Sequence, residues 1–164
     1  MPFNGVHRAN EDDIAGILIA EDDENDVYLI KRAFQKAHFE NPLKIVRDGE
    51  EAIAYLKGTG DFVDRQRNPP PALVLLDLKM PRKNGFEVLQ WIREQPEFNH
   101  LPAVVLTSSQ ESSDINRAYA LGANSYLVKP ANFASLVDMI TRLKEYCAFT
   151  QQNVGVSWSV SIGS

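Results

Sequence analysis

Residues 72–81 read ALVLLDLKMP, and this stretch decides the fold class. Its first five residues are all apolar, which is typical of a strand buried on both faces at the centre of a parallel sheet. Asp77 follows them directly. A charged group at the end of so buried a strand needs a partner, because an unpaired buried charge is costly. The stretch therefore predicts the central strand of a parallel sheet, with a paired acid at its carboxyl end.

Outward from this strand, apolar runs alternate with helical patterns, which is typical of an α/β fold whose helices cover both faces of the sheet. We predict five strands and five helices. The strands are predicted at residues 17–20, 43–46, 72–77, 103–107 and 125–128. The helices are predicted at residues 25–38, 50–57, 84–95, 112–121 and 133–149.

The length of 164 residues, 44% of them hydrophobic, suits one compact domain, which we assign to residues 14–149 after an N-terminal tail of residues 1–13. Residues 58–71 are longer than a helix–strand connection requires and contain three consecutive prolines, so we predict a surface insertion. Residues 150–164 alternate apolar and small polar residues with a period of two. We predict that they form a strand-like arm that pairs with a second protomer.

The formal net charge of −5 disfavours nucleic acid as a direct partner, because the protein would repel a phosphate backbone. No apolar run is long enough to cross a bilayer. The single cysteine, Cys147, cannot form an internal disulfide, and the first residues do not resemble a secretory leader. We therefore expect the protein in the cytoplasm.

The residues that interrupt the apolar pattern lie at the carboxyl ends of the predicted strands: Glu21, Asp22, Asp77, Thr107 and Lys129. In open parallel sheets this edge is where ligands bind. Crowded carboxylates raise one another's pKa unless a cation neutralises them, and Mg²⁺ with oxygen ligands serves this purpose. Mg²⁺ also shares its ligand positions with phosphate oxygens, so the cluster favours phosphoryl transfer with a carboxylate as nucleophile.

Four segments of the chain resemble the receiver domains of two-component response regulators. They are ILIAED at residues 17–22, LLDLKMP at 75–81 with Gly85 after it, VLTS at 105–108 and YLVKP at 126–130. The resemblance extends over roughly residues 14–149. It implies a doubly wound, flavodoxin-like receiver fold with strand order 2-1-3-4-5, and a protein that accepts a phosphoryl group from a histidine kinase.

The resemblance also implies a role for each acid at the sheet edge. Asp77 matches the phosphoacceptor, and Asp22 matches the residue that binds Mg²⁺ directly. Glu21 matches the acidic neighbour that acts through water, and the Lys79 backbone carbonyl matches a further metal ligand. Lys129 matches the lysine that pairs with the acceptor carboxylate and then with the phosphoryl group.

Three further matches concern the response to phosphorylation. Thr107 matches the switch hydroxyl that moves toward the phosphoryl group, and Tyr126 matches the aromatic residue whose rotamer follows it. Pro130 matches a proline whose preceding peptide bond is cis in the family. The resemblance implies that the surface of the fourth helix, fifth strand and fifth helix changes shape, and we expect a homodimer through this surface, through the arm, or through both.

Glu21 stands where receivers more commonly have aspartate. This acid, the insertion at residues 58–71 and the lack of an output domain resemble the small regulators encoded beside bacterial and cyanobacterial phytochromes. The narrower resemblance implies a bacteriophytochrome histidine kinase as partner. Since fifteen residues after Phe149 are too few for a DNA-binding module, we expect output through protein contacts.

Other interpretations remain open. Asp23 and Glu24 are better explained as acids that stabilise the N-terminus of the first helix. An aspartate-nucleophile phosphohydrolase resembling the haloacid dehalogenase group would need a second aspartate where this chain has Lys79. A flavodoxin-like binding module would need a phosphate-binding loop where Glu21 and its acidic neighbours stand. A receiver that docks without being phosphorylated is the remaining alternative.

Overall fold

The computed structural model describes residues 15–152, in which strands and helices alternate along the chain. The strands β1 (Ile17–Ala20), β2 (Leu43–Val46), β3 (Leu73–Leu76), β4 (Ala103–Thr107) and β5 (Ser125–Val128) form one sheet. All neighbouring strands are parallel, and their order is β2-β1-β3-β4-β5. The helices are α1 (Glu24–Lys36), α2 (Gly49–Lys57), α3 (Gly85–Glu94), α4 (Ser112–Ala120) and α5 (Phe133–Gln152). The predicted fold class and strand order are confirmed.

The core lies on both faces of the sheet, because successive residues of a strand point to opposite faces. Leu18 and Val74 pack with the apolar sides of α2, α3 and α4. Ile19 and Leu75, their neighbours in the chain, pack with α1 and α5 on the other face. The strands β1, β3 and β4 are buried along their whole length, and the burial of β3 was predicted from its continuous apolar run.

The helix boundaries agree with the predicted ones to within three residues, and side-chain caps account for the starts of α1, α2 and α3. Asp23 caps α1, Asp48 caps α2 and Asn84 caps α3, each accepting a hydrogen bond from a backbone N–H of the first turn. The end of α1 was predicted at residue 38, but His38 has a left-handed φ of 56° and cannot continue the helix. Strand β3 is one residue shorter at each end than predicted.

The insertion at residues 58–71 is tied to α2 by side-chain contacts. It contains a short 3-10 helix, Gly60–Phe62, and the Phe62 ring packs edge-on against Tyr55 with centroids 5.0 Å apart. The guanidinium of Arg65 donates to the Tyr55 carbonyl at 2.7 Å. The Tyr55 hydroxyl in turn donates to the carbonyl of Pro69 at 2.9 Å. These contacts join three positions of the insertion to Tyr55.

Helix α5 ends at Gln152, three residues later than predicted. Residues 150–152, which we had assigned to the arm, are therefore helical; glutamine is a good helix former, and the first glycine after them is Gly155. The remainder of the predicted arm, residues 153–164, lies outside the described residues, as does the tail at residues 1–13. The division into tail, domain and arm stays a prediction. No helix within residues 15–152 is long and apolar enough to span a membrane.

Candidate functional site

The carboxyl ends of four strands carry polar residues to one edge of the sheet. Glu21 follows β1, Asp77 follows β3, Thr107 ends β4 and Lys129 follows β5. Backbone hydrogen bonds between neighbouring strand ends hold them there. The Asp77 N–H donates to the Ala20 carbonyl at 3.1 Å, and the Lys129 N–H donates to the Thr107 carbonyl at 2.8 Å. The sheet therefore sets their spacing before any side chain interacts.

Three carboxylates meet at this edge. Glu21, Asp22 and Asp77 each offer an oxygen, and these oxygens all lie within 4.8 Å of one another. Glu21 and Asp77 are buried, whereas Asp22 is exposed. The structure thus brings together the three acids that the sequence predicts at the site.

Lys129 is the cation of the cluster. Its ammonium donates to Glu21 Oε1 at 2.6 Å, to Asp26 Oδ2 at 2.7 Å and to Asp77 Oδ2 at 3.0 Å. The side chain is only 14% exposed. An ammonium has three N–H donors, so every donor of Lys129 has a carboxylate partner.

Crowding and burial shift the pKa of both charged partners. Burial raises the pKa of Glu21 to about 7, because its cost and the charge of Asp77 outweigh the hydrogen bond and charge of Lys129. Burial by itself would lower the pKa of Lys129, but its hydrogen bonds to Asp26 and Glu21 and the charge of Asp77 raise it. The ammonium therefore stays charged throughout the physiological range.

Asp26 lies at the site but was not among the residues predicted from the sequence. It lies in the first turn of α1, where an acid is usually explained by the helix dipole alone. Of the two acids predicted to stabilise the start of this helix, Asp23 caps it and Glu24 lies in its first turn. Glu24 also forms an ion pair with Arg47, which was not predicted. The local sequence does not distinguish Asp26 from these two, since its partner lies 103 residues further along the chain.

The donor set fits a hard divalent cation. Carboxylate oxygens are the ligands that Mg²⁺ and Mn²⁺ take in proteins, and three of them converge here. The cluster holds four acids and one ammonium: Glu21, Asp26 and Asp77 pair with Lys129, and Asp22 lies beside Glu21 and Asp77. The cluster therefore carries excess negative charge that a divalent ion would balance.

The loop between β3 and α3 is fastened at both ends. The Lys79 N–H donates to Asp77 Oδ1 at 3.3 Å, which places this backbone segment beside the cluster. A Cβ at Gly85 would lie 2.3 Å from the Asp77 carbonyl oxygen, so no larger residue fits where the loop returns. In the middle of the loop, Arg82 has a left-handed φ of 66°, and its guanidinium pairs with the buried Asp48 at 2.7 Å.

The residues predicted to switch lie next to the cluster and contact one another through Ser109. Thr107 is buried, and its hydroxyl accepts a long hydrogen bond of 3.5 Å from the Ser109 N–H. The half-buried Tyr126 donates from its phenol to the Ser109 carbonyl at 2.9 Å. The Ser109 hydroxyl donates to Asp114 in α4 at 2.6 Å. A chain of contacts thus leads from the end of β4 to α4.

The predicted cis bond before Pro130 is wrong for this structure. None of the peptide bonds within residues 15–152 is cis. The trans form is the ordinary state even before proline, favoured by about 0.5–1 kcal/mol.

Comparison with known proteins identifies relatives over most of the chain. The sequence model of a protein family, the response regulator receiver domain, matches residues 17–141 of this chain. The response regulator Rcp1 of Synechocystis sp. is 35% identical over 130 residues, which cover 79% of this chain and 86% of Rcp1.

Solved structures of response regulators are also similar to this chain. The phosphorylated cyanobacterial phytochrome response regulator RcpA is 35% identical, with a TM-score of 0.76 over 84% of this chain and 96% of RcpA. The Mn²⁺-bound form of Rcp1 is 33% identical, with a TM-score of 0.71 over 87% of this chain and 97% of that structure. This chain covers almost the whole of both structures.

Proposed function

Because this chain belongs to the response regulator receiver domain family, we propose that it accepts a phosphoryl group on Asp77 from a histidine kinase and signals through protein contacts. The observation that carries the proposal is the position of the Asp77 carboxylate. It is buried at the end of the central strand, shares an acidic cluster with Glu21 and Asp22, and bonds to the Lys129 ammonium. The proposed nucleophile and the proposed cation site thus lie beside a fixed positive charge.

In the proposed transfer, an oxygen of the Asp77 carboxylate attacks the phosphorus of a phosphohistidine. A P–O bond forms while the P–N bond breaks, and the electron pair of the broken bond stays on the imidazole nitrogen. Solvent supplies the proton that leaves the ring neutral. The product is an acyl phosphate on Asp77. Lys129, 3.0 Å from Asp77 Oδ2, is placed to donate to an oxygen of the transferred group.

A divalent cation is part of this proposal. Asp22, Asp77 and the Lys79 carbonyl would bind it directly and Glu21 through water, and it would neutralise charge on the oxygens of the transferring group. Support comes from the three converging carboxylates and from the Mn²⁺ bound in the Rcp1 structure. We propose Mg²⁺ as the ion that serves in the cell.

The proposed output starts at the buried Thr107. Phosphorylation adds about 1.5–2 negative charges and three acceptor oxygens, which attract a nearby hydroxyl. Movement of the Thr107 hydroxyl would break the hydrogen bond that it accepts from the Ser109 N–H. Ser109 also accepts a hydrogen bond from Tyr126 on its carbonyl and donates one to Asp114 from its hydroxyl. The surface of α4, β5 and α5 would then change, as a local charge event biases a two-state element.

The proposed kinase is of the bacteriophytochrome class, and the proposed location is the cytoplasm. Support comes from the similarity to RcpA, described as a phytochrome response regulator, and to AtBRR, described as a bacteriophytochrome response regulator. A homodimer through the α4–β5–α5 surface, through the arm predicted at residues 150–164, or through both is also proposed. Both surfaces are expected to serve protein partners and not nucleic acid, in keeping with the net charge of −5.

The proposal is tested by incubating the protein with Mg²⁺ and phosphoramidate and measuring its intact mass under mild conditions. We expect a gain of one phosphoryl group that chelation of the metal abolishes. Asp77→Asn should remain folded and gain no mass. Asp61→Asn, a matched change at an exposed acid of the insertion, should gain as much as the wild type. Full modification of the Asp77→Asn protein would contradict the assignment of the acceptor.

A further inference from the structure

Asp26 contacts the lysine of the site nearly as closely as Glu21 does, and more closely than Asp77 does. Its Oδ2 lies 2.7 Å from Lys129 Nζ, compared with 2.6 Å for Glu21 and 3.0 Å for Asp77. Among residues 15–152, these three acids account for every ion pair that Lys129 forms. Asp26 is thus a full partner of the ammonium, although neither the strand-end pattern nor the family resemblance predicts it.

The start of α1 places Asp26 at the open side of the site. Asp23 caps the helix by accepting from the Asp26 N–H at 2.9 Å, which fixes the backbone of the first turn. The Asp26 side chain is 32% exposed, whereas that of Glu21 is 2% exposed. A cavity of about 50 Å³ adjoins it, lined in part by Lys129 and Pro130. Water can therefore replace Lys129 as the hydrogen-bond partner of Asp26, but it cannot do so at the buried Glu21.

Phosphorylation changes how the three N–H donors of Lys129 are shared. It converts the Asp77 carboxylate to an uncharged acyl group and moves negative charge outward onto three phosphoryl oxygens. The donor that served Asp77 becomes available to the phosphoryl group. The other two remain with Glu21 and Asp26, and releasing the buried Glu21 would leave a desolvated charge unpaired. The three phosphoryl oxygens can accept more than this one donor. Asp26 is the partner whose release costs least, so Asp26 and the phosphoryl group compete for a second donor of Lys129.

We propose that Asp26 competes with the phosphoryl group for the Lys129 ammonium and so limits how tightly the protein holds its phosphorylated state. This rests on the proposed function, because it presumes that the group is bound at Asp77. Asp26 touches Lys129 and not the reacting atoms, so it is a positioning residue. The negative charge of Asp26 destabilises the phosphorylated state, and removal of this charge stabilises it.

A purely structural role for Asp26 has a different signature. An acid in the first turn of a helix stabilises the helix dipole whatever occupies the site. Glu24 lies in the same turn, is 83% exposed on its side chain and pairs with Arg47 instead of Lys129. Glu24→Gln is therefore the matched control: it removes the same charge from the same turn and leaves Lys129 untouched.

The experiment uses beryllofluoride, a stable mimic of the phosphoryl group, in saturating Mg²⁺, with its affinity measured by ¹⁹F NMR. Asp26→Asn should bind it about threefold to tenfold more tightly than the wild type, a size usual for directly coupled neighbours. Asp26→Glu keeps the competing charge and should return the affinity to within about twofold of wild type. Glu24→Gln should leave it unchanged.

Equal or weaker binding by Asp26→Asn would overturn the inference, and so would tighter binding by Glu24→Gln of the same size. Thermal unfolding of each variant, followed by circular dichroism, confirms that the compared proteins are folded. A failure of the proposed function looks different, because the wild type itself would then bind no beryllofluoride, or Asp77→Asn would bind it as well as the wild type.

Discussion

Two cations of this domain are largely removed from water, and their surroundings are opposite. Lys129, at the carboxyl edge of the sheet, donates to carboxylates of three acids. Arg93 lies at the other edge, where β4 and β5 begin, and all of its oxygen partners among residues 15–152 are uncharged. They are the carbonyls of Phe98, Asn99, Leu101 and Gly122 and the side-chain amide of Asn124, at 2.7–3.3 Å.

The difference appears in the pKa of each group. Burial lowers the pKa of Arg93, and no carboxylate opposes the shift. Burial acts in the same direction on Lys129, but the acids around it raise its pKa. Carboxylates can be exchanged for a metal-bound or phosphoryl oxygen, whereas backbone carbonyls belong to the chain itself. A buried cation among acids can therefore serve binding and transfer, and one among carbonyls joins segments of the fold.

The packing around Arg93 supports this structural role. Gly122 has a φ of 105°, and a Cβ there would lie 2.6 Å from Cγ of Arg93. The arginine thus fills the space beside the turn before β5 while it satisfies the carbonyls that precede β4 and β5. Its six hydrogen bonds connect α3 to both strand starts.

The largest expected effect separates Lys129 from another lysine with carbonyl partners. Lys129→Met should slow phosphorylation by phosphoramidate at least about 100-fold, the usual loss when a preorganised donor to developing charge is removed. Within the described part of the chain, Lys144 donates only to the carbonyls of Ala37 and His38, so Lys144→Met should change the rate less than about twofold. Rates come from intact mass against time. An equal loss of phosphorylation rate in both variants would contradict the proposed difference between Lys129 and Lys144.

The next effect concerns stability and not transfer. Arg93→Met should lower the free energy of unfolding by about 3 kcal/mol, because several partly buried carbonyls lose their donor. Urea unfolding measures this change. Arg142→Met, at an exposed position of α5, should cost less than about 0.5 kcal/mol. The folded Arg93→Met protein should still be phosphorylated at the wild-type rate, and a large loss there would assign Arg93 to the site.

The smallest expected effect concerns a buried acid with a single cationic partner, the pair of Asp48 and Arg82. Asp48 is buried, which by itself would raise its pKa, but its bonds from Arg82 and from backbone N–H groups lower it. A lowered pKa means that the stabilising contribution is present above the unfolded pKa of about 3.9 and is lost as the pH falls through the folded pKa. Asp48→Asn should therefore be less stable than wild type at neutral pH, with the difference shrinking below about pH 4.

Urea unfolding across this pH range measures the effect, and Asp61→Asn, an exposed acid, is the control that should show no such trend. A stability difference between Asp48→Asn and wild type that stayed constant down to acid pH would show that the Asp48 charge is not responsible.

Local pattern was sufficient for most of the fold. Four of the five strands occupy the predicted residues, because apolar runs bounded by turns are a local signal. Helix ends were less well predicted, since a cap depends on backbone angles such as the left-handed φ of His38. The acids Glu21, Asp22 and Asp77 were predicted together because parallel strands bring their carboxyl ends to one edge.

The contacts that the sequence did not reveal join residues distant along the chain. Arg93 and Gly122 are 29 residues apart, Asp48 and Arg82 are 34 apart, and Asp26 and Lys129 are 103 apart. Arginines and acids on helices and turns are common at the surface, and no periodic signal marks the ones that find a partner. The cis bond expected before Pro130 is a related case, since its isomer depends on the surrounding fold.

By itself, the order of apolar runs and polar strand ends determined the parallel sheet and the edge at which its acids collect, because alternation and strand direction are properties of the chain. Only the tertiary structure decided how charge is shared at that edge. It placed the first turn of α1 against the residue after β5, so that Lys129 has three carboxylate partners and Asp26 is one of them. Electrostatic energy depends on distances of a few ångströms between packed elements, and those distances are set by the fold as a whole.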